Sequence, residues 1–262
     1  MTEFVLKFNL TPLNELDRFA LLACQSYNFG NDSDWFGSFR GGIYAFSNRI
    51  HAVRRHFYEV HAWIPTPRHI ADSEYHLTSI FFNMDSSLEC LTYGINALGN
   101  AIDPRLFRNV TDSQAIRLVS PVDILGSKRP PLKGYEKYFP QFQSLWQSRM
   151  SLVEEIQDQH DVSKHRQTIF IGGKSRIDAP SGFFEALGIH NNKEAQFAFL
   201  PMEEIILNPN PKAPNIARKT ISNQRLLEDL CIDFVELVNE SSRLAYEDAR
   251  STIPLRHLEF IK

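Results

Sequence analysis

The sequence predicts a mainly α protein: an antiparallel bundle of about four long helices, with a small antiparallel β insertion at roughly residues 168–207. The first observation is an apolar period of alternating three- and four-residue steps, which places one seam on one face of a helix. The second is a set of short apolar runs between the last two helices. We expect residues 1–262 to form a single domain. The seams are Phe36, Phe39, Ile43, Phe46, Ile50, Val53, Phe57 and Val60; Leu77, Phe81, Met84, Leu88, Leu91, Ile95, Leu98 and Ile102; and Leu227, Leu230, Phe234, Leu237, Ser241 and Leu244.

The predicted helices begin at capping residues or prolines, and they end at prolines or polar turns. A less regular stretch at 105–134, rich in glycine and proline, follows the third long helix. The predicted helices run from Thr11 to about Tyr27, from about Trp35 to Trp63, from Asp72-Ser73 to about Ile102, from about Pro140 to Lys164, and from about Ser222 to Ala249.

Two adjacent glycines, Gly41 and Gly42, lie inside the second predicted helix. Each costs a helix roughly 1 kcal/mol relative to alanine. They therefore mark either a close helix crossing or a break. Because the apolar seam continues on both sides of them, the sequence favours a crossing.

The predicted β insertion rests on three short apolar runs at 168–171, 196–200 and 204–207. The run at 168–171 ends in the string GGKS, which resembles the end of a phosphate-binding loop. It lacks the earlier glycine of that loop and no helix follows it, so a hairpin turn is the favoured interpretation.

Composition excludes several classes of protein. Hydrophobic residues make up 43% of the chain and charged residues 23%, as in ordinary globular proteins. A net charge of −3 gives no global basic field, so any nucleic-acid contact needs a local patch. No stretch approaches the roughly 20 apolar residues that span a bilayer, and the first ten residues are not a secretory signal. Since the three cysteines are isolated, as in a reducing compartment, we expect a cytoplasmic protein.

The densest group of ionisable residues is the string HDVSKHR at 160–166. His160, Asp161, His165 and Arg166 could supply a general base, an orienting acceptor and an anion clamp. The structural alternative is a charged last turn, in which cations stabilise the negative end of their own helix. Spacing alone favours that structural alternative.

Two charged residues, Arg149 and His160, fall in the apolar seam of the fourth helix. They are eleven residues apart, which is about 20° around a continuous helix. A guanidinium that faces a bundle core needs a partner, because an unpaired buried charge costs several kcal/mol. The sequence therefore predicts either a polar cleft or a structural ion pair at this point.

A bundle of long helices with a short polar motif that ends in histidine resembles the HEPN superfamily, whose helical domains occur in RNA-cleaving toxins and defence proteins. The family signature is an arginine, then a polar residue, then a histidine. The string from His160 through Asp161 to His165 matches the polar residue and the final histidine. At the first position His160 replaces the arginine that is thought to bind the scissile phosphate, a role for which Arg149 or Arg166 is available.

The resemblance implies RNA as a partner and metal-independent endoribonuclease activity without a cofactor. In that reading His165 acts as base or acid, while His160, Asp161 and Arg166 position the phosphate. It also implies a homodimer, since activity in the family commonly needs two motifs, and it leaves room for a protein partner or antitoxin. The competing hypothesis is a non-catalytic interaction or scaffold protein, which the missing arginine favours.

A second string, Arg55-His56 through His61, satisfies the signature literally. Arg55 and His61 are about 120° apart around a continuous helix, and Arg55 falls opposite the seam residue Phe57. We expect Arg55 to face water, so this string is the second candidate. Histidines spaced five apart are dispersed around the helix, and His76 belongs to no recognisable ligand set, so no metal site is expected.

Overall fold

The computed structural model describes residues 6–25, 34–61, 67–165 and 227–253. Most of these residues are helical and none of them forms a strand, so the prediction of a mainly α protein is confirmed. The β insertion predicted at 168–207 lies outside the described residues. In chain order the described helices are α1 (Thr11–Gln25), α2 (Asp34–His61), α3 (Pro67–Ile102), α4 (Ser113–Ile116), α5 (Val122–Leu125), α6 (Lys133–Tyr138), α7 (Pro140–Ser148), α8 (Met150–His165) and α9 (Leu227–Thr252).

The chain divides into two compact units. Helices α2, α3, α8 and α9 each contribute residues to both. The single domain expected over residues 1–262 stays a prediction. Unit 1 comprises Met1–Ile50, Ser86–Val153 and Cys231–Lys262, and unit 2 comprises His51–Asp85 and Glu154–Leu230.

The apolar seams are the buried faces of the long helices, as the period predicts. In α2 the side chains from Phe39 through Phe57 at seam positions are buried, and Phe36 at the start is half-buried. In α3 the seam is buried from Leu77 to Leu98. None of the described helices is long and apolar enough to cross a membrane.

Within unit 1, α2 and α3 approach each other closely at Gly42 and Gly94. A Cβ atom on Gly42 would lie 2.7 Å from the Gly94 nitrogen and 2.8 Å from the Cys90 oxygen. Backbone atoms cannot yield as a flexible side chain can, so this contact requires glycine. The predicted helix crossing is confirmed at Gly42, whereas a Cβ on Gly41 would meet nothing within 4 Å.

Also within unit 1, α7 and α9 lie antiparallel. The Trp146 indole N–H donates to Ser241 Oγ at 2.8 Å, and the Phe142 N–H donates to Asp248 Oδ2 at 2.9 Å. Phe142 precedes Trp146 along α7, whereas its partner Asp248 follows Ser241 along α9, so the two helices run in opposite directions. The one polar residue in the α9 seam is Ser241, and its position there is explained by the hydrogen bond that it accepts from the Trp146 indole.

Two predicted helix boundaries are wrong. The helix predicted from Pro140 to Lys164 is two helices, because the chain turns at Arg149, whose backbone has φ −108° and ψ 19°. The Arg149 N–H donates to the carbonyls of Leu145 and Trp146, as at the tightened end of a helix. The alternating three- and four-residue spacing of apolar residues continues through a one-residue turn. The spacing alone therefore does not reveal the break at Arg149.

Helix α3 begins at Pro67, five residues before the predicted cap at Asp72. Proline fits the first turn of a helix, where its missing N–H would have no intrahelical partner. The stretch at 105–134 is also more ordered than expected, since it contains α4, α5 and the start of α6. Its first part is held by Asn96, which accepts from the Arg108 N–H and donates to the Arg108 carbonyl, each at 3.0 Å.

Candidate functional site

The candidate site is a buried carboxylate–imidazole pair in unit 2. His160, on α8, places Nδ1 2.6 Å from Oδ2 of Asp85, on α3. The side chains of His160 and Asp85 are only 12% and 11% exposed. Such a short, shielded contact holds the imidazole ring in one orientation.

The environment of Asp85 opposes its ionisation. Burial raises the pKa of the Asp85 carboxyl, and the hydrogen bond and charge of His160 act in the opposite direction. The neighbouring Asp161 raises this pKa further. Oδ1 of Asp85 is buried without a hydrogen bond of normal geometry to any described residue. The hydrogen bond from His160 is therefore the largest described interaction that favours the ionised form of Asp85.

One side of the imidazole is covered by an aromatic ring. Phe82, on α3, meets the His160 ring edge to face with their centroids 5.3 Å apart, and Phe82 is itself partly exposed. When Nδ1 donates its hydrogen to Asp85, Nε2 is the basic nitrogen of the neutral ring. The pair can thus accept a proton at Nε2 and return it, which is general acid–base chemistry.

The other residues of the first motif have separate surroundings. Asp161 is exposed beside His160. His165 is the last residue of α8, and its side chain lies outside what the structure describes, as does all of Arg166. Among these groups the structure describes the side chains of His160 and Asp161 only, and their convergence with His165 and Arg166 around one phosphate stays a prediction.

Arg149 is not the buried charge that the seam predicts. It lies in unit 1 and pairs with Glu236 at 3.5 Å, with side chains 43% and 58% exposed. The turn between α7 and α8 removes Arg149 from the helical face on which a continuous period would place it. The described contacts of Arg149 and His160 share no residue.

The second motif has a neighbour that the sequence analysis did not predict. Arg55 is exposed, as predicted. His56 is half-buried, and its Nδ1 lies 2.9 Å from Nδ1 of His76, on α3. Burial lowers the pKa of His56, and His76 and Arg55 lower it further. His61 ends α2, and its side chain lies outside the described part of the chain.

Sequence reasoning missed Asp85, and it considered His76 only as a metal ligand and not as the partner of His56. Each lies beside a seam residue of α3, because Asp85 follows Met84 and His76 precedes Leu77. A charged or polar residue that flanks an apolar seam is usually solvated, so this signal was weak. A buried carboxylate in an otherwise apolar helix nevertheless requires a partner, which is the cue that could have been used.

Among the side chains that the structure describes, there is no cluster of three or more His, Cys, Asp or Glu that could hold a metal ion. His56 and His76 use their facing nitrogens on each other. The chemistry available at the described site is therefore proton transfer by His160, oriented by Asp85. Comparisons with protein-family models, with curated proteins and with solved structures found no match to this chain.

Proposed function

We propose that this chain is a HEPN-like RNA-binding protein that cleaves RNA without a metal ion, with His160 as its acid–base group. The observation that carries the proposal is the 2.6 Å contact between His160 Nδ1 and Asp85 Oδ2. Carboxylate-oriented imidazoles supply general acid–base catalysis near neutral pH. The antiparallel helical bundle expected from the seams is part of the same proposal.

The proposed reaction is internal transfer at a phosphodiester. His160 Nε2 takes the proton of a ribose 2′-hydroxyl, and the 2′-oxygen attacks the adjacent phosphorus. The bond from phosphorus to the 5′-oxygen breaks, and that oxygen receives a proton from a second group. The products are a 2′,3′-cyclic phosphate and a 5′-hydroxyl, so no metal or external oxidant is required.

The second group in this proposal is His165, with Asp161 and Arg166 positioning the phosphate. A homodimer would bring two such motifs together, and a protein antitoxin is a compatible partner. A cytoplasmic location belongs to the same proposal, supported by the isolated cysteines of the sequence.

Cleavage of labelled RNA in the presence of EDTA tests this function. Wild-type protein should convert structured or unstructured RNA to products with cyclic-phosphate ends, and should leave 2′-O-methyl RNA intact. His160→Gln should abolish cleavage, and Asp85→Asn should reduce it by about 10²–10⁴-fold, the usual contribution of general acid–base catalysis. Circular dichroism and thermal melting would show whether each variant is folded.

Cleavage that survives both His160→Gln and His165→Ala in folded protein would refute the proposed chemistry. Glu154→Gln serves as the matched control, because Glu154 is exposed on the same helix as His160 and has no assigned role in the proposed reaction. A variant at that position should lose much less activity than His160→Gln.

The second candidate function is a non-catalytic scaffold. It is favoured by the exposed ion pair of Arg149 with Glu236. Because Arg149 is paired there, the described residues supply no arginine to bind the phosphate beside the motif that begins at His160. In this reading the His160–Asp85 pair only joins α8 to α3. An RNA-inactive protein in which His160→Gln lowers stability but changes no measured activity would support the scaffold.

A further inference from the structure

The segment from 103 to 138, in unit 1, is strongly basic. It contains seven Lys or Arg and four Asp or Glu, in a chain whose net charge is −3. Asp123 is fully buried, and Asp103 is paired with Arg105 and Lys137. Asp112 caps α4 by accepting from two backbone N–H groups. Three of the four acidic groups are thus engaged, and the fourth, Glu136, is exposed in the first turn of α6. The basic residues outnumber the acidic ones by three, so the segment carries a net positive charge.

The centre of this segment is one buried carboxylate between two guanidinium groups. Arg108 donates through Nε and Nη2 to the two oxygens of Asp123, each at 2.7 Å. Arg129 donates to Asp123 Oδ1 from Nε at 3.0 Å. Two positive charges on one negative charge leave a surplus positive charge. The Asp123 hydrogen bond also raises the pKa of Arg108, which therefore stays charged.

The loop that carries Arg129 is fixed by its own sequence. Gly126 ends α5 in the left-handed region at φ 75°, and a Cβ there would lie 2.8 Å from Pro131 Cδ. The Leu132 N–H donates a hydrogen bond to the Asp123 carbonyl at 2.9 Å, which closes the loop. Arg129 is thereby held before any ligand arrives, which reduces the ordering cost of binding.

Further cations flank this centre. Arg129 Nη2 donates to the Leu118 carbonyl at 2.6 Å, which brings the end of α4 beside the loop. Arg117 precedes Leu118 and Lys128 precedes Arg129, and both of these side chains are exposed. Neither has an ion-pair partner in the described part of the chain. Nη1 of Arg129 is likewise not used in any hydrogen bond described for that residue.

We propose that Arg117, Lys128 and Arg129 form a basic patch that binds successive phosphates of an RNA backbone. The inference rests on the proposed function, because it names where RNA would be held. A planar guanidinium and a lysine together suit phosphate oxygens. Leu118 is the only large exposed apolar side chain described in this segment, so charge rather than apolar burial dominates, as at nucleic-acid interfaces.

The test is binding of the full chain to a fluorescent single-stranded 2′-O-methyl RNA, measured by anisotropy over a range of salt concentrations. The double variant Arg117→Gln/Lys128→Gln should reduce the slope of log K against log salt by about 1.4. The same loss corresponds to about 25-fold weaker binding at 0.1 M salt. Both side chains are exposed, so the fold should survive.

The matched control is Arg18→Gln/Arg250→Gln, which removes the same charge from exposed positions on α1 and α9. It should leave the slope unchanged. Equal slopes for the patch and control variants would overturn the proposal. If the double variant fails to fold, the single variants should each lower the slope by about 0.7.

Competition separates the possible sources of negative charge. RNA should displace the labelled oligonucleotide far better than inorganic phosphate or polyglutamate at equal charge. Displacement by polyglutamate equal to that by RNA would overturn the assignment to phosphate, and would point to an acidic protein. Equal displacement by inorganic phosphate would overturn the assignment to a polymer backbone.

The two proposals can fail separately, because 2′-O-methyl RNA lacks the attacking hydroxyl and reports binding alone. If the protein binds RNA through the patch but does not cleave ordinary RNA, only the proposed acid–base chemistry is refuted. If cleavage depends on His160 but RNA binding does not depend on Arg117 and Lys128, only the proposed basic patch is refuted.

Discussion

The Nδ1 atoms of His56 and His76 lie 2.9 Å apart, and the two ring centroids are 5.2 Å apart. In an imidazole ring the nitrogen lies about 1.1 Å from the centroid. The distance between the centroids is therefore close to the largest that a 2.9 Å contact between the nitrogens allows, and each Nδ1 points at the other ring. One hydrogen fits between the two nitrogens, with one ring as donor and the other as acceptor. When both rings are protonated, neither facing nitrogen can accept a hydrogen bond, so the bond is lost and two cations are in contact.

Acid should therefore destabilise the protein through this pair. The pKa of His56 in the folded state is lowered from its ordinary value of 6.5 by burial first, then by His76 and Arg55, with Glu59 opposing. The unfolded state thus binds more protons below that value. The stabilisation is present above pH 6.5 and should be lost as the pH falls through the lowered pKa of His56.

Urea unfolding from about pH 8 to pH 5 checks this sign. His56→Gln should make the free energy of unfolding less dependent on pH than in the wild type. His51→Gln, at an exposed position on the same helix, is the control and should not change the dependence. A wild-type protein that gains stability toward pH 5 relative to His56→Gln would contradict the prediction.

Asp85 gives a prediction of the opposite sign. Because burial raises its pKa in the folded state, the protonated form is favoured there. That contribution is present below the unfolded value of 3.8 and is lost as the pH rises through the raised pKa of Asp85. Asp85→Asn cannot titrate, so its stability relative to the wild type should increase between about pH 4 and pH 7.

Chemical unfolding of both proteins at several pH values measures this difference. A gain in stability that accompanies a loss of RNA cleavage would mark Asp85 as a residue kept for function at the expense of stability. A relative stability that stays constant over this pH range would show that Asp85 does not titrate as inferred.

The helix crossing at Gly42 predicts opposite effects for two adjacent substitutions. Gly42→Ala places a methyl group 2.7 Å from a backbone nitrogen, so it should destabilise the protein by about 1–3 kcal/mol. Gly41→Ala meets nothing within 4 Å and should stabilise α2 by up to about 1 kcal/mol. Thermal unfolding of the two variants compares them directly, and equal changes would disprove the close crossing.

The hydrogen bond between Trp146 and Ser241 predicts a cost for a small change. Ser241→Ala leaves the indole N–H buried without its acceptor, which should cost about 1–3 kcal/mol. Ser242→Ala is the matched control, because the hydrogen bond described for that hydroxyl goes to the Val238 carbonyl of its own helix. Denaturant unfolding should show the larger loss for Ser241→Ala, and near-equal losses would mean that the indole finds another acceptor.

Apolar periodicity identified the long helices and their buried faces. Phe39 and Leu88 are buried because their positions repeat at the helical period, which is a local property of the sequence. The turn at Arg149 was missed because one non-helical residue hardly changes that period. The partner of His160 was missed for another reason: Asp85 is 75 residues away in the chain, and such a contact depends on tertiary packing.

The hydrogen bond from the Phe142 N–H to Asp248 has a consequence for biosynthesis. The first N–H groups of a helix have no partner within it, and here the acceptor comes from a residue 106 positions later. On the ribosome, α7 emerges long before its acceptor exists. Its amino end therefore receives this acceptor only after residue 248 has been synthesised, so in a nascent chain halted earlier α7 should lack this cap.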